Sequence, residues 1–177
     1  MRSWLIGLTA LVVTSGSAAA QSLDIGGVEV HLGEAGTVAL RQLRAAYNLQ
    51  YVDGAKAWGV TRKNGPQDYT SLGMFSIDSG TVTWISKDYE IPDVQRLGNI
   101  FQQAVRDLRA RGGKACFMWP NEMTNGMIFG ASMKCGPYTL DLNLPRESTA
   151  IPSMGAGISI RVGGRGTSSS DSGGGTS

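Results

Sequence analysis

Residues 114–136 read KACFMWPNEMTNGMIFGASMKCG and contain the only two cysteines of the chain, Cys116 and Cys135. Within this stretch, Asn125-Gly126 is typical of a two-residue β-hairpin turn, because both central positions of a type I′ turn need a positive φ. A turn at that point places Cys116 directly opposite Cys135. The turn and the cysteines therefore predict the same hairpin register, closed by a disulfide.

Two features complicate this hairpin. Pro120 falls opposite Ala131 and has no N–H to donate. Cys116 and Cys135 fall at a hydrogen-bonded pair, where the Cα atoms are farther apart but still within disulfide reach. A bulge near Pro120, or a longer loop over residues 119–127, relieves both. The hairpin supplies a covalent framework and no chemistry.

The N-terminus is typical of a secretory signal peptide. Arg2 supplies the positive charge, residues 4–13 form an apolar run, and Ala18-Ala19-Ala20 precedes an expected cleavage before Gln21. The apolar run is too short to span a bilayer, and no later run approaches the roughly 18 apolar residues required. No cysteine follows the run, so the attachment point of a bacterial lipoprotein is absent. We expect a periplasmic or secreted protein with an oxidised cysteine pair, and an uncleaved N-terminal anchor is the alternative.

The charge balance argues against a nucleic-acid partner. The chain has 16 basic and 14 acidic residues, and removal of residues 1–20 takes away one arginine, which leaves a net charge near +1. Nucleic-acid binding normally needs a strongly basic face. One basic cluster lies at the end of a predicted helix, where cations complement the helix dipole, and an anion site is the alternative. Its members are Arg106, Arg109, Arg111 and Lys114.

Periodicity predicts two helices. A long helix follows Pro92 and stops at Gly112-Gly113, with an apolar stripe at Val94, Leu97, Ile100, Phe101, Ala104, Val105 and Leu108. A shorter helix over residues 37–48 has Thr37 as its N-cap. Each is followed by three strands, and RQLRAA at 41–46 is echoed by RDLRAR at 106–111.

Alternation predicts the strands. Beyond the cysteine hairpin they cover residues 27–32, 56–63, 72–77, 81–86, 138–144 and 158–162, the last suited to an edge. Asp78-Ser79-Gly80 is typical of a three-residue hairpin loop. Runs of strands after each helix favour an α+β fold, with a mainly antiparallel sheet of about six to eight strands and two helices on one face. We expect a single domain over residues 21–162 and a disordered Gly/Ser-rich tail over 163–177.

One part of the chain resembles known exported domains. Leu32-Gly33 precedes a helix carrying Val38 and Leu43, a strand, and then Phe75-x-x-Asp78-x-Gly80-x-Val82-x-x-Ile85. This order resembles small α+β domains of the BamE/SmpA outer-membrane-assembly lipoprotein type and the β-lactamase inhibitory protein-like type. The resemblance covers roughly residues 27–85. It implies a binding or inhibitory scaffold without catalytic residues, and the chain departs from the lipoprotein type by lacking the lipidated cysteine.

Catalytic constellations are largely missing from the sequence. There is no G-x-S-x-G elbow and no H-E-x-x-H motif, and His31 is the only histidine. Glu29 lies on the same strand face as His31, but no nucleophile accompanies the pair. The carboxylates Asp88, Glu90 and Glu122 leave open a small hydrolase that uses acids from separate strands. We therefore predict no catalytic residue, no metal site and no cofactor.

The cysteine hairpin carries the candidate partner-binding residues. It is loaded with large apolar side chains, of which we select Met118, Trp119, Met123, Met127 and Phe129. If the hairpin projects, these residues form the kind of exposed apolar patch that marks protein contacts. The alternative is that they fold over the long helix as core. The favoured hypothesis is a non-catalytic binding module of the cell envelope or exterior, whose partner is a protein or an envelope component. The alternatives are the carboxylate-dependent hydrolase and an accessory structural envelope protein.

Overall fold

The computed structural model describes residues 21–63, 69–92, 94–123, 128–145 and 157–164. The predicted signal peptide, the hairpin tip at Asn125-Gly126 and residues 165–177 lie outside these ranges. Within them the helices are α1 (Gly36–Arg44) and α2 (Leu97–Gly112). The strands are β1 (Ser22–Ile25), β2 (Val28–His31), β3 (Asn48–Val52), β4 (Ala57–Lys63), β5 (Tyr69–Asp78), β6 (Thr81–Tyr89), β7 (Cys116–Met123), β8 (Ile128–Cys135), β9 (Tyr138–Pro145) and β10 (Gly157–Gly163).

The predicted α+β class is confirmed. Eight strands form one antiparallel sheet in the order β3-β4-β5-β6-β10-β9-β8-β7, and β1 and β2 form a separate hairpin. Each helix is followed by four strands that pair in sequence, and the two groups meet where β6 pairs with β10. Because β10 lies between β6 and β9, the expectation that this strand is suited to an edge is wrong. The repeated order of elements in the sequence thus corresponds to the two halves of one sheet, each with four strands and not the expected three.

The apolar core lies on one face of the sheet. Its sheet side chains include Phe75, Ile85, Leu140 and Ile160, all at most 1% exposed. Both helices and the β1–β2 hairpin contribute to the same cluster, through Ala39, Leu43, Ala104, Leu108, Leu23, Ile25 and Val30. Full burial of a large aliphatic or aromatic side chain contributes roughly 1.5–3 kcal/mol. The two helices therefore cover one face, as the sequence predicts.

Several boundaries differ from the expected ones. The N-cap of α1 is Ala35, which makes no side-chain cap hydrogen bond, and not Thr37. The first turn of α1 is instead bonded to the turn between β5 and β6, because the Gly36 N–H donates to the Gly80 carbonyl at 2.8 Å. The helix ends at Arg44, because Asn48 already pairs with Thr61 in β4. Tertiary pairing therefore decides both ends of α1.

The β5–β6 hairpin is also tighter than expected. Asp78 pairs with Thr81, so the turn contains only Ser79 and Gly80, with φ of 50° and 83°. Two consecutive positive φ angles are those of a type I′ turn.

None of the helices in the described part of the chain is long and apolar enough to cross a membrane.

Candidate functional site

The predicted hairpin of β7 and β8 is present with the predicted register. Pairing runs without a shift from Cys116–Cys135 to Met123–Ile128, and the two cysteines form a disulfide. Their Cα atoms are 4.4 Å apart. That is the spacing of a non-hydrogen-bonded pair, about 4.5 Å, and not of a hydrogen-bonded pair, about 5.5 Å. The expected hydrogen-bonded pairing at the cysteines is therefore wrong.

This pairing explains how Pro120 is accommodated. Pro120 lies an even number of residues from Cys116 on the same strand, so its nitrogen points away from β8. Because β7 is the last of the described strands in the sheet, that direction is the outer edge. The missing N–H removes no ladder hydrogen bond, and no bulge is needed.

β7 presents large apolar side chains on both faces of the sheet. Phe117 is 62% exposed and Met118 is 59% exposed, although they are adjacent and therefore point to opposite faces. Trp119 is half-buried, and its ring stacks on Phe117 with centroids 5.1 Å apart. We call these three residues the β7 surface. Burial of Met118 as core is therefore wrong, whereas Trp119 is partly covered.

An apolar groove lies beside Met118. It has a volume of about 400 Å³ and is lined by Phe101, Gln102, Val105, Arg106 and Met133. We call it the α2–β8 groove. Met133 pairs with Met118, and directly opposed residues of two strands stand on the same face. Met118 therefore stands next to Met133, at the side of the groove. The sequence marks Phe101 and Val105 only as core, so it missed their partial exposure.

The remaining candidate residues are placed only by their backbone or not at all. Met123 is the last residue of β7, and Phe129 lies in β8 opposite Glu122. Met127 lies outside the described residues. For these three residues the sequence prediction stands untested.

The three carboxylates of the hydrolase hypothesis have different surroundings. Asp88 accepts a hydrogen bond from Ser71 at 2.6 Å, whereas Glu90 pairs with Arg62 at 3.8 Å. Glu122 belongs to β7, four strands away from Asp88, or about 19 Å at 4.8 Å per strand. These backbone positions do not bring the three acids together.

A polar cluster that the sequence analysis did not single out lies on the sheet face without helices. The Ser132 hydroxyl donates to Asp141 at 2.6 Å, and Arg161 Nε lies 2.7 Å from the other carboxylate oxygen. Asp141 is 4% exposed. The only available signal was the alternation of polar residues in β9 and β10. Because Asp141 is already bonded on both oxygens, we read this cluster as structural.

Ser159 separates Asp141 from a second acid on the same face. It is opposite Asp141 in β9 and opposite Asp88 in β6. Burial raises the pKa of Asp88, while hydrogen bonds from Ser71 and Ser86 act in the opposite direction. The face thus holds two aspartates in different environments, one paired with Arg161 and one whose pKa is raised by burial.

Glu29 and His31 are not hydrogen-bonded to each other in the described part of the chain. Glu29 accepts a hydrogen bond from Ser22 at 2.6 Å, which lowers its pKa, and the nearby Arg111 guanidinium acts in the same direction. The buried Nδ1 of His31 has no hydrogen-bond partner among the described residues. Nor do His, Cys, Asp and Glu side chains form a group of three that could hold a metal ion in this part of the chain.

Comparison with protein-family models, with curated proteins and with solved structures finds no match to this chain.

Proposed function

We propose that this protein is a non-catalytic binding module of the cell envelope or exterior, and that a protein partner docks on the β7 surface. One observation carries this proposal. Phe117 and Met118 each expose more than half of their side chain on a strand that a disulfide clamps in place. Phe117 and Trp119 form an apolar pair on one face of this strand, and Met118 lies on the other face beside the α2–β8 groove. Exposed apolar groups of this kind mark protein interaction sites.

The rigidity of the strand favours this use. Affinity is gained when the contacting groups are ordered before binding, because less conformational entropy is lost on association. The disulfide fixes one end of β7, and the Phe117–Trp119 stack holds two of the three side chains against each other. Aromatic residues and methionine are also enriched at the centres of interfaces.

The α2–β8 groove adds a second contact area to Met118. Phe101, Val105 and Met133 give it an apolar floor, and Arg106 and Gln102 provide polar groups. An apolar centre with polar groups beside it matches the anatomy of non-obligate interfaces. A large apolar side chain of the partner would pack on Phe101, Val105 and Met133.

The docking test compares matched variants in affinity capture from the native envelope, with the full chain as bait. Phe117→Ala/Met118→Ala should lose a partner that the unchanged chain retains, because truncation of an interface centre typically costs more than about 1–2 kcal/mol. Tyr69→Ala is the control, since Tyr69 is 53% exposed on β5, away from the β7 surface. Equal recovery of every partner by all three proteins would refute docking on β7.

Export is tested separately. The N-terminal pattern and the disulfide support it, and mass spectrometry of the protein recovered from its cells should give a chain that begins at Gln21. Recovery of an intact N-terminus from a cytoplasmic fraction would contradict the proposed location.

A further inference from the structure

The two edges of the eight-stranded sheet differ in how they resist pairing. β7 carries Pro120, whose nitrogen faces the open edge and cannot donate. β3, at the other edge, has the sequence Asn-Leu-Gln-Tyr-Val and contains neither proline nor a charged residue. Proline and charge are the usual means by which natural sheets prevent edge-to-edge association. Only one of the two edges is therefore protected.

The unprotected edge is accessible. Four of the five residues of β3 are exposed, including Tyr51 at 46% and Val52 at 40%. β4 is its only neighbour in the sheet, and no other described strand pairs with it. The backbone groups on its outer side are thus available to a further strand.

We propose that β3 pairs with β3 of a second copy of this chain, antiparallel across a two-fold axis, so that the two sheets become continuous. An antiparallel strand pair is self-complementary under two-fold symmetry, which is the commonest symmetry of homo-oligomers. Centring the axis on Gln50, the middle residue of β3, places Leu49 opposite Tyr51 of the other copy. It also places Asn48 opposite Val52.

The side chains of β3 fit this register. Leu49 pairs with the buried Val60 and Tyr51 with the half-buried Trp58, so both stand on the face that carries the core. Tyr51 contacts Trp58 edge-on at 5.4 Å, yet nearly half of it remains exposed. Leu49 of the second copy would cover that exposed part, because directly opposed side chains in neighbouring strands are in contact.

Charges at the two ends of β3 are complementary in the same arrangement. Arg44 ends α1 just before β3, and its guanidinium lies over Trp58, 5.4 Å from the ring centroid. Asp53 directly follows β3 and is exposed. In the register centred on Gln50, Asp53 of each copy falls opposite Tyr47 of the other, three residues after Arg44 in the chain. This arrangement favours the second copy over an arbitrary extended peptide as the occupant.

The test measures the oligomeric state of the full chain by analytical ultracentrifugation over a range of concentrations. We expect a monomer–dimer equilibrium. Gln50→Lys places two like charges at the axis and should raise the dimer dissociation constant by about tenfold or more. Asp53→Lys should weaken the dimer as well. Circular dichroism and thermal unfolding check that each variant is folded.

A cysteine variant supplies an independent readout. Gln50→Cys should form an interchain disulfide on mild oxidation, since residue 50 faces its own copy. Asn99→Cys, at an exposed position of α2, is the matched control and should cross-link much more slowly. A monomer at all concentrations, or equal cross-linking at both positions, overturns the proposal. So does a dimer that Gln50→Lys leaves intact and Phe117→Lys dissociates, because it would then form through the β7 surface.

Discussion

The Cα atoms of Cys116 and Cys135 lie 4.4 Å apart at the end of the β7–β8 hairpin that is remote from its tip. The disulfide therefore joins the edge strand to the rest of the sheet at its first residue. Cys135 is fully buried and Cys116 half-buried, so the bond also forms part of the core beside α2.

Removal of this disulfide should destabilise the whole domain. The cysteines are separated by 19 residues, and loss of a cross-link across such a loop costs about 3 kcal/mol in the loop-entropy account. The paired variant Cys116→Ala/Cys135→Ala should show this loss in urea unfolding at pH 7. Reductant should lower the stability of the unchanged chain by a similar amount and leave the variant unaffected. Unfolding curves that coincide with and without reductant would show that the bond does not stabilise the fold.

Substitution of glycine by alanine should affect stability differently at two positions of α2. A Cβ at Gly112 would clash with the backbone oxygen of Cys135, whereas a Cβ at Gly98 would meet nothing within 4 Å. Gly112→Ala should therefore destabilise the protein by about 1–3 kcal/mol through overpacking. Gly98→Ala should leave stability unchanged or raise it by up to about 1 kcal/mol, because alanine favours helix. Thermal unfolding of the two variants side by side measures the contrast, and equal effects would contradict the close approach of α2 to β8.

The Asp141–Arg161 pair should stabilise the sheet far more than an exposed ion pair does. Asp141 retains only 6% of its side-chain exposure, and Asp141→Asn should cost about 2 kcal/mol, as expected for hydrogen bonds to a charged group. A double-mutant cycle with Arg161→Gln isolates the interaction.

The control for this prediction is Arg62 with Glu90, which lie 3.8 Å apart with both side chains about half exposed. The corresponding double-mutant cycle, with Glu90→Gln and Arg62→Gln, should give a coupling energy below about 1 kcal/mol. Equal coupling energies at the two pairs would mean that burial of Asp141 adds nothing.

Asp88 should make stability depend on pH. Burial raises its pKa in the folded protein above the unfolded value, so the folded state binds the proton more tightly. Above the pKa that Asp88 has in the folded protein, ionisation of this buried carboxyl lowers the free energy of unfolding. The loss disappears as the pH falls below the pKa that Asp88 has in the unfolded chain, near 4. The free energy of unfolding of the unchanged chain should therefore rise relative to that of Asp88→Asn as the pH is lowered from 7 toward 4.

Ser71→Ala provides the control for Asp88. Ser71→Ala removes the 2.6 Å hydrogen bond that lowers the pKa of Asp88. At pH 7 this substitution should therefore cost more stability when it is made in the unchanged chain than when it is made in the Asp88→Asn variant. Chemical unfolding at several pH values measures both effects. A stability difference between Asp88→Asn and the unchanged chain that does not vary with pH would be the contrary result.

The local patterns of the sequence predicted most elements correctly. The period of α2, the alternation in β9 and the register of the Cys116–Cys135 hairpin depend on neighbouring residues, which the sequence contains directly. The candidate site was predicted in part, because the apolar residues of β7 are visible as a cluster around Trp119. Their exposure was not predictable, since an apolar residue has the same pattern whether it faces the core or the solvent.

What the sequence by itself determined was therefore the class of fold, its two helices and the disulfide that closes one hairpin. Tertiary structure alone decided that β10 is central, that β3 and β7 are the edges, and that Asp141 meets Arg161. The physical reason is that strand order and cross-strand contacts join residues far apart in the chain, and no local period records which segments become neighbours. The exposure of Phe117 and Met118 on β7 likewise depends on which elements pack over each face of the sheet, which is a tertiary property.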